Sequence, residues 1–112
     1  MPSAVSDYER EFMWTWCESR SLEGSFTVRA LVYWIRVKSP LSVFFLLDDK
    51  NRELYMMVCI HISLKWYGYD EIFKCNYYRG LKEKYSHLRV ETHQDMKIHV
   101  LNILNWDLGE EQ

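Results

Sequence analysis

The stretch Glu53–Trp66, ELYMMVCIHISLKW, decides the fold. From Leu54 to Leu64 it is almost entirely apolar and contains neither glycine nor proline. Val58, Ile60 and Ile62 are β-branched, and periodicity alone does not separate a buried strand from a buried helix. Length does, because the run exceeds the usual strand, and Asn51 with Arg52 and Glu53 offers a helix cap and an acidic first turn. A helix apolar on nearly every side has to be enclosed by other elements. The stretch therefore predicts a central buried helix with shorter helices around it.

Those shorter helices can be read on both sides of it. Ser6-Asp7-Tyr8-Glu9 has the spacing of a capping box, and Tyr8, Phe12 and Trp16 recur every four residues, which predicts a first helix over 6–20 with an aromatic stripe. Trp14 lies off that stripe and is expected at the surface. Gly24 and Ser25 break the chain, and a second helix is expected from about Phe26 to Val37, with Val28, Leu31, Val32, Ile35 and Trp34 available to the core and Arg36 and Lys38 near its end. Ser39-Pro40 reads as the stop of that helix and the start of a short third one, Leu41–Leu47. Beyond Gly68, Asp70 caps a further helix marked by Ile72, Phe73, Tyr77 and Leu81, and Lys82–His87 reads as loop. Thr92 with Asp95 caps a last helix whose face is Met96, Val100, Ile103 and Leu104, and Trp106-Asp107-Leu108-Gly109 stops it.

The totals agree with an all-α domain. Four glycines and two prolines in 112 residues leave few hairpin turns or phosphate-cradling loops, and this length supports one domain with a real core. Fourteen basic against sixteen acidic residues give a net charge of -2, without the basic face expected of a nucleic-acid or membrane-surface binder. Five Trp and eight Tyr suggest that some aromatics serve a partner surface. Three separated cysteines, Cys17, Cys59 and Cys75, read as reduced thiols, and MPSAVSDYERE lacks the parts of a secretory signal. A cytoplasmic or nuclear protein is expected.

No cofactor is expected. His87, His93, His99 and the cysteines lack the close spacing of a zinc site. His61 reads as a core histidine. Asp48-Asp49 and Glu110-Glu111 sit at helix and chain ends with no nucleophile and base beside them, so an enzyme is not expected.

In order, the helices resemble the N-terminal cyclin box. Tyr8-Glu9-Arg10-Glu11-Phe12 is similar to the family's opening helix, and Val28-Arg29-Ala30-Leu31-Val32-Tyr33-Trp34-Ile35 is similar to its Met-Arg-Ala-Ile-Leu-x-x-Trp-Leu helix, one residue short between Arg and Trp. Leu46-Leu47-Asp48 resembles the family's Leu-Ile-Asp. Cys59 and Lys65 keep the spacing of its Cys-x-x-x-Ala-Ser-Lys, and Val100–Leu108 resembles its closing Ile-Leu-x-x-Leu-x-Phe-x-Leu. The resemblance covers almost the whole chain and rests on joint order, since apolar helices of each kind are common.

The resemblance implies a five-helix cyclin box over 26–108 around a central helix, preceded by the N-terminal helix, all in one domain, 1–112. It implies a regulatory protein that binds a cyclin-dependent protein kinase in cell-cycle or transcription control. The kinase surface would comprise Lys65, Trp66, Leu101, Trp106 and Leu108 with Glu11 and Phe12, the Lys65 end and the 101–108 segment emerging side by side. It also implies an ion pair between Arg29 and Asp48. The family's glutamate partner of Lys65 aligns with Lys97, and Arg52 and Glu53 replace Leu and Gln in the family's docking groove for substrate motifs. These departures keep an alternative open, a degenerate cyclin-fold adaptor or scaffold that holds a non-kinase protein or sequesters a kinase without activating it. Lys65 can also be read as a lysine snorkelling at a helix end.

Overall fold

A computed structural model describes residues 5–19, 22, 24–43, 49–66, 79–85 and 89–107. The described residues are helical with short connections and contain no strand. Helix α1 is Asp7–Ser19, α2 is Gly24–Val43, α3 is Asp49–Trp66 and α4 is Val90–Ile103, with a further helical stretch at residues 79–84. The radius of gyration is 13.2 Å, close to the roughly 13 Å of one tightly packed unit of this length.

The apolar stretch is helical, as its length predicts, and every residue from Leu54 to Leu64 is buried. Helix α3 touches α1, α2 and α4. It begins at Asp49, so Asn51 lies within its first turn rather than capping it.

Three sets of contacts fix the directions. Ser63 donates to the Phe26 carbonyl at 3.0 Å, while Arg52 and Lys38 meet on the same Glu9 carboxylate, so α2 and α3 run antiparallel. Tyr55 faces His99 and His61 faces His93, so α3 and α4 are antiparallel as well. Arg36 reaches the end of α4, which sets α2 and α4 parallel. The start of α1, the end of α2, the start of α3 and the end of α4 therefore share one end of the molecule.

The capping box forms as the spacing predicts. Glu9 N–H donates to Ser6 Oγ and Ser6 N–H donates to a Glu9 carboxylate oxygen, each at 3.1 Å. Other boundaries differ from the sequence reading. Gly24 and Ser25 open α2 instead of breaking the chain, and Trp14 packs there: a Cβ on Gly24 would meet the Trp14 ring at 3.2 Å. That contact leaves Trp14 half-buried rather than at the surface.

Helix α2 also continues through Pro40 to Val43, so no separate helix starts at Leu41. Pro40 removes one backbone donor, but Val37 and Leu41 extend the buried row Phe26, Ala30, Trp34 by further helical steps. Burying Val37 and Leu41 together offsets the roughly 3 kcal/mol that an interior proline costs. Residues 44–48, and with them the rest of the expected third helix and the Asp48 partner of Arg29, lie outside the described residues.

The buried face of α2 is a correction of the sequence reading. Val28, Val32 and Ile35, expected in the core, are 52%, 47% and 42% exposed; Trp34 is buried as expected and Leu31 half-buried, and Ala30, Tyr33 and Val37 are buried beside Trp34. The helix carries two apolar stripes, and the aromatic one wins because each large ring removes about 150–250 Å² from water.

Farther along, Lys82–Lys84 are helical rather than loop, and Leu81 is buried as expected. The helix expected from Asp70 falls largely outside the described residues. Helix α4 starts at Val90 with Arg89 at the N-cap and no side-chain cap bond, so Thr92 is a first-turn residue and not the cap. Met96, Val100 and Leu104 are buried and Ile103 is half-buried, and His93 joins them on that face.

Candidate functional site

One end of the molecule gathers its charged contacts. The buried Glu9 carboxylate receives Lys38 Nζ at 2.8 Å and stands 3.6 Å from Arg52 Nε, so one α1 side chain joins α1, α2 and α3. Burial opposes its charge, but Lys38 and the Ser6 N–H outweigh that and hold the carboxyl below its ordinary value.

Glu53 forms a second junction. It accepts from the Tyr8 hydroxyl and, at 2.7 Å, from the Tyr85 hydroxyl, with Lys84 Nζ 3.9 Å away. Burial again works against the charge, and the two hydroxyls with Lys84 overcome it, keeping Glu53 below the usual carboxylate range. Arg52 and Glu53, which stand where the family's docking groove has Leu and Gln, thus tie α3 to α1 and to the 79–85 segment.

The third junction shapes the end of α4. Arg36 donates to the Asp107 carbonyl at 2.8 Å and to the Leu104 carbonyl at 3.1 Å, taking up acceptors that a helix end leaves open. Beyond it, Asn105 and Trp106 adopt left-handed backbone at φ 55° and 57°, a conformation that costs a non-glycine residue about 1–2 kcal/mol. Trp106 N–H closes the turn onto the Leu101 carbonyl at 2.9 Å, and its indole donates to Asn102 Oδ1 at 3.1 Å. The ring is 59% exposed, a large apolar surface held at a fixed place.

Replacing Arg36 with Met should lower the unfolding free energy by about 1 kcal/mol, since two partly exposed charge-assisted bonds to carbonyls are lost. Urea denaturation checks it. An unmoved midpoint would show that the α4 terminus holds itself.

Of the residues that the resemblance assigns to a partner surface, Trp106 and Glu11 are exposed and Phe12 is half-buried. Leu101, on α4, is 7% exposed and belongs to the buried core. Lys65 and Trp66 close α3, with their side chains outside the described residues, as is Leu108.

The antiparallel register also separates these segments. With residue 55 level with 99 and 61 with 93, residue 101 falls level with 53, about 18 Å along α3 from Lys65. The two segments expected side by side thus occupy opposite ends of the α3–α4 seam. The same register sets Lys97 level with Met57, two helical turns from Lys65.

Phe12 belongs to a groove of about 360 Å³ beside α1. Tyr8, Phe12 and Trp16 form its floor, with Glu11 and Thr15 on one wall and Lys84 on the other. Lys84 Nζ stands 5.5 Å from the Phe12 ring centroid, within cation–π range. This groove escaped the sequence reading because its second wall comes from a segment 65 or more residues away in the chain.

At the opposite end the buried polar groups are histidines and hydroxyls. His61 and His93 are buried with ring centroids 5.2 Å apart, and Ser63 and Thr27 lie in the same layer. Burial, with Lys97 one turn further along α4, pushes His93 down to about 4. Cys17 and Cys59 are buried free thiols whose pKa burial raises, which makes them poor nucleophiles.

Among the described residues no group of three or more metal-ligating side chains converges, and no helix is long and apolar enough to cross a membrane. No protein-family model, curated protein or solved structure matches the chain.

Proposed function

We propose that the chain is a single-box, cyclin-like regulatory protein that binds a cyclin-dependent protein kinase and modulates its activity. The observation that carries this reading is Trp106, 59% exposed and fixed by Arg36 and Asn102, at the position where the resemblance has an aromatic kinase contact. Support also comes from the order of the segments Tyr8–Phe12, Val28–Ile35, Cys59–Lys65 and Val100–Ile103, which fall on α1, α2, α3 and α4 with α3 buried.

A kinase of this class works only when its regulatory helix, Lys–Glu ion pair and activation loop are aligned, and a protein that binds the aligned state better shifts the kinase toward it. Leu101 falls level with Glu53, so Lys65 and the end of α4 stand about 18 Å apart along α3. A standard interface of about 800 Å² per partner is roughly 28 Å across, enough to include both.

Trp106→Ala should weaken a kinase complex at least thirtyfold, the scale of an aromatic anchor, with stability nearly unchanged because Ala carries the same left-handed cost. Size-exclusion and pull-down against a panel of cyclin-dependent kinases supply the test. Failure of the folded protein to form a complex with any of them would reject the proposal.

The buried Leu101, and Lys97 in place of a glutamate, favour a second reading. In it the chain is an adaptor that holds a non-kinase protein, or sequesters a kinase without activating it. Lys97→Glu separates the two readings: tighter kinase binding supports the kinase surface, and an unchanged hold on another protein supports the adaptor.

A further inference from the structure

The geometry points to the α1 groove as the docking site for an amphipathic helical segment of a protein partner, about three turns long, with basic residues along one edge and an acidic residue on the other. This deepens the proposed function, resting on its reading of α1 as partner-facing and adding the chemistry of the segment that α1 meets.

The floor is aromatic and the rims are charged with opposite sign. On a helical projection of α1, Asp7, Glu18 and Glu11 fall within about 40° of one another, all exposed. Thr15 follows, then Tyr8, Phe12 and Trp16 of the floor. Arg10 projects on the far side of that acidic edge, where it pairs with Asp7 at 3.2 Å. Across the groove the lining residue is cationic: Lys84 sits above Phe12 and faces Glu53 at 3.9 Å.

An apolar trough with Glu11 on one wall, Asp7 and Glu18 beyond it on the same side of α1, and Lys84 opposite selects a segment with the complementary pattern. Asp7 to Glu18 spans about 16 Å, the length of three helical turns. An apolar ridge at i, i+3/i+4 and i+7 fills the trough, as helices do in grooves of this kind. Basic residues spaced four and seven apart meet Asp7, Glu11 and Glu18, and an acidic residue meets Lys84. The paired charges steer and orient the segment, while the aromatic floor supplies most of the buried area.

The test uses two helix-stapled peptides of about three turns sharing one Leu/Phe ridge. One carries Arg at spacings of four and seven with a single Glu on the opposite edge, and the other carries Glu in place of each Arg and Lys in place of that Glu. Fluorescence anisotropy on the whole chain should show the Arg peptide bound at least tenfold more tightly than its charge-reversed form. Glu11→Lys should erase or invert that preference. Thr15→Arg, an exposed change that both fills the groove and reverses its rim, should weaken the Arg peptide at least tenfold.

Equal binding of the two peptides, no binding of either, or a preference that survives both substitutions overturns the inference. A kinase complex that forms but is not displaced by the Arg peptide overturns the inference and leaves the kinase reading intact. Peptide binding with the expected charge dependence, in a chain that binds no kinase, supports the groove and rejects the kinase reading.

Discussion

Replacing Glu9 with Gln should lower the unfolding free energy by about 2–3 kcal/mol, and the melting temperature by about 10 °C for a chain of this size. The substitution keeps shape and removes charge. It leaves Lys38, 2.8 Å away, and Arg52, 3.6 Å away, without the carboxylate that balances them. Breaking a fully buried pair costs about 3–5 kcal/mol. The lower figure applies because the Lys38 and Arg52 side chains keep 20% and 32% of their exposure and are partly solvated. Urea denaturation at neutral pH provides the measurement, and a loss under about 0.5 kcal/mol would show that water already balances these cations.

The double change Glu9→Gln with Lys38→Met should recover part of that loss, because one of the two cations that faced the carboxylate is then replaced by an apolar stem. Acid works in the same direction as the substitution. The Glu9 carboxyl is held below its ordinary 4.5 in the folded chain, so its contribution is full above that value and is lost as pH falls through the folded pKa.

The capping half of Glu9 was legible in the sequence and the joining half was not. Ser6 and Glu9 are three residues apart, and local spacing fixes their reciprocal bonds. Lys38 and Arg52 lie 29 and 43 residues beyond Glu9, and only the antiparallel course of α2 and α3 brings them to it. The same division holds elsewhere. An apolar run from Leu54 to Leu64 has to be enclosed wherever its neighbours come from, so its helix and burial could be read directly. On α2, two apolar stripes shared one period, and sequence offered no measure of which would face inward. The larger rings of Tyr33 and Trp34 decided it, and Val28, Val32 and Ile35 were left to solvent.

For the candidate site the obstacle was direction. Motif order assigned Lys65 and the 101–108 segment to one surface, but order along a chain carries no information about whether two helices run parallel or antiparallel. The pairs Tyr55–His99 and His61–His93 supply it, and they separate those segments by the length of the seam. Trp106 was legible as an aromatic after a closing helix. Its left-handed backbone had no signal, because glycine is the usual sign of that conformation and the nearest glycine is Gly109. His93 was missed for a related reason: Thr92 has the side chain of an N-cap, which starts the helix too late to place its neighbour on the buried face.

That misplaced histidine carries the second large effect, a loss of about 2 kcal/mol of stability between pH 7.5 and pH 5. Burial, and then Lys97 on the next turn, push His93 from 6.5 down to about 4 in the folded chain. The unfolded chain therefore binds a proton near pH 6.5 that the folded chain refuses until near pH 4. Stability is full above about 6.5 and falls by up to 1.4 kcal/mol per pH unit across that window. The cationic Lys97 on α4 reinforces the effect of burial, and His61 on α3 lies 5.2 Å away ring to ring. Glu9 and Glu53 titrate below this range, so chemical denaturation at pH 7.5, 6 and 5 isolates the histidine. His93→Leu, which keeps the site apolar and roughly filled, should flatten the profile over those three points whatever it does to stability at pH 7.5. An equal slope in wild type and variant would mean that protonation is absorbed elsewhere and that the α3–α4 seam is indifferent to acid.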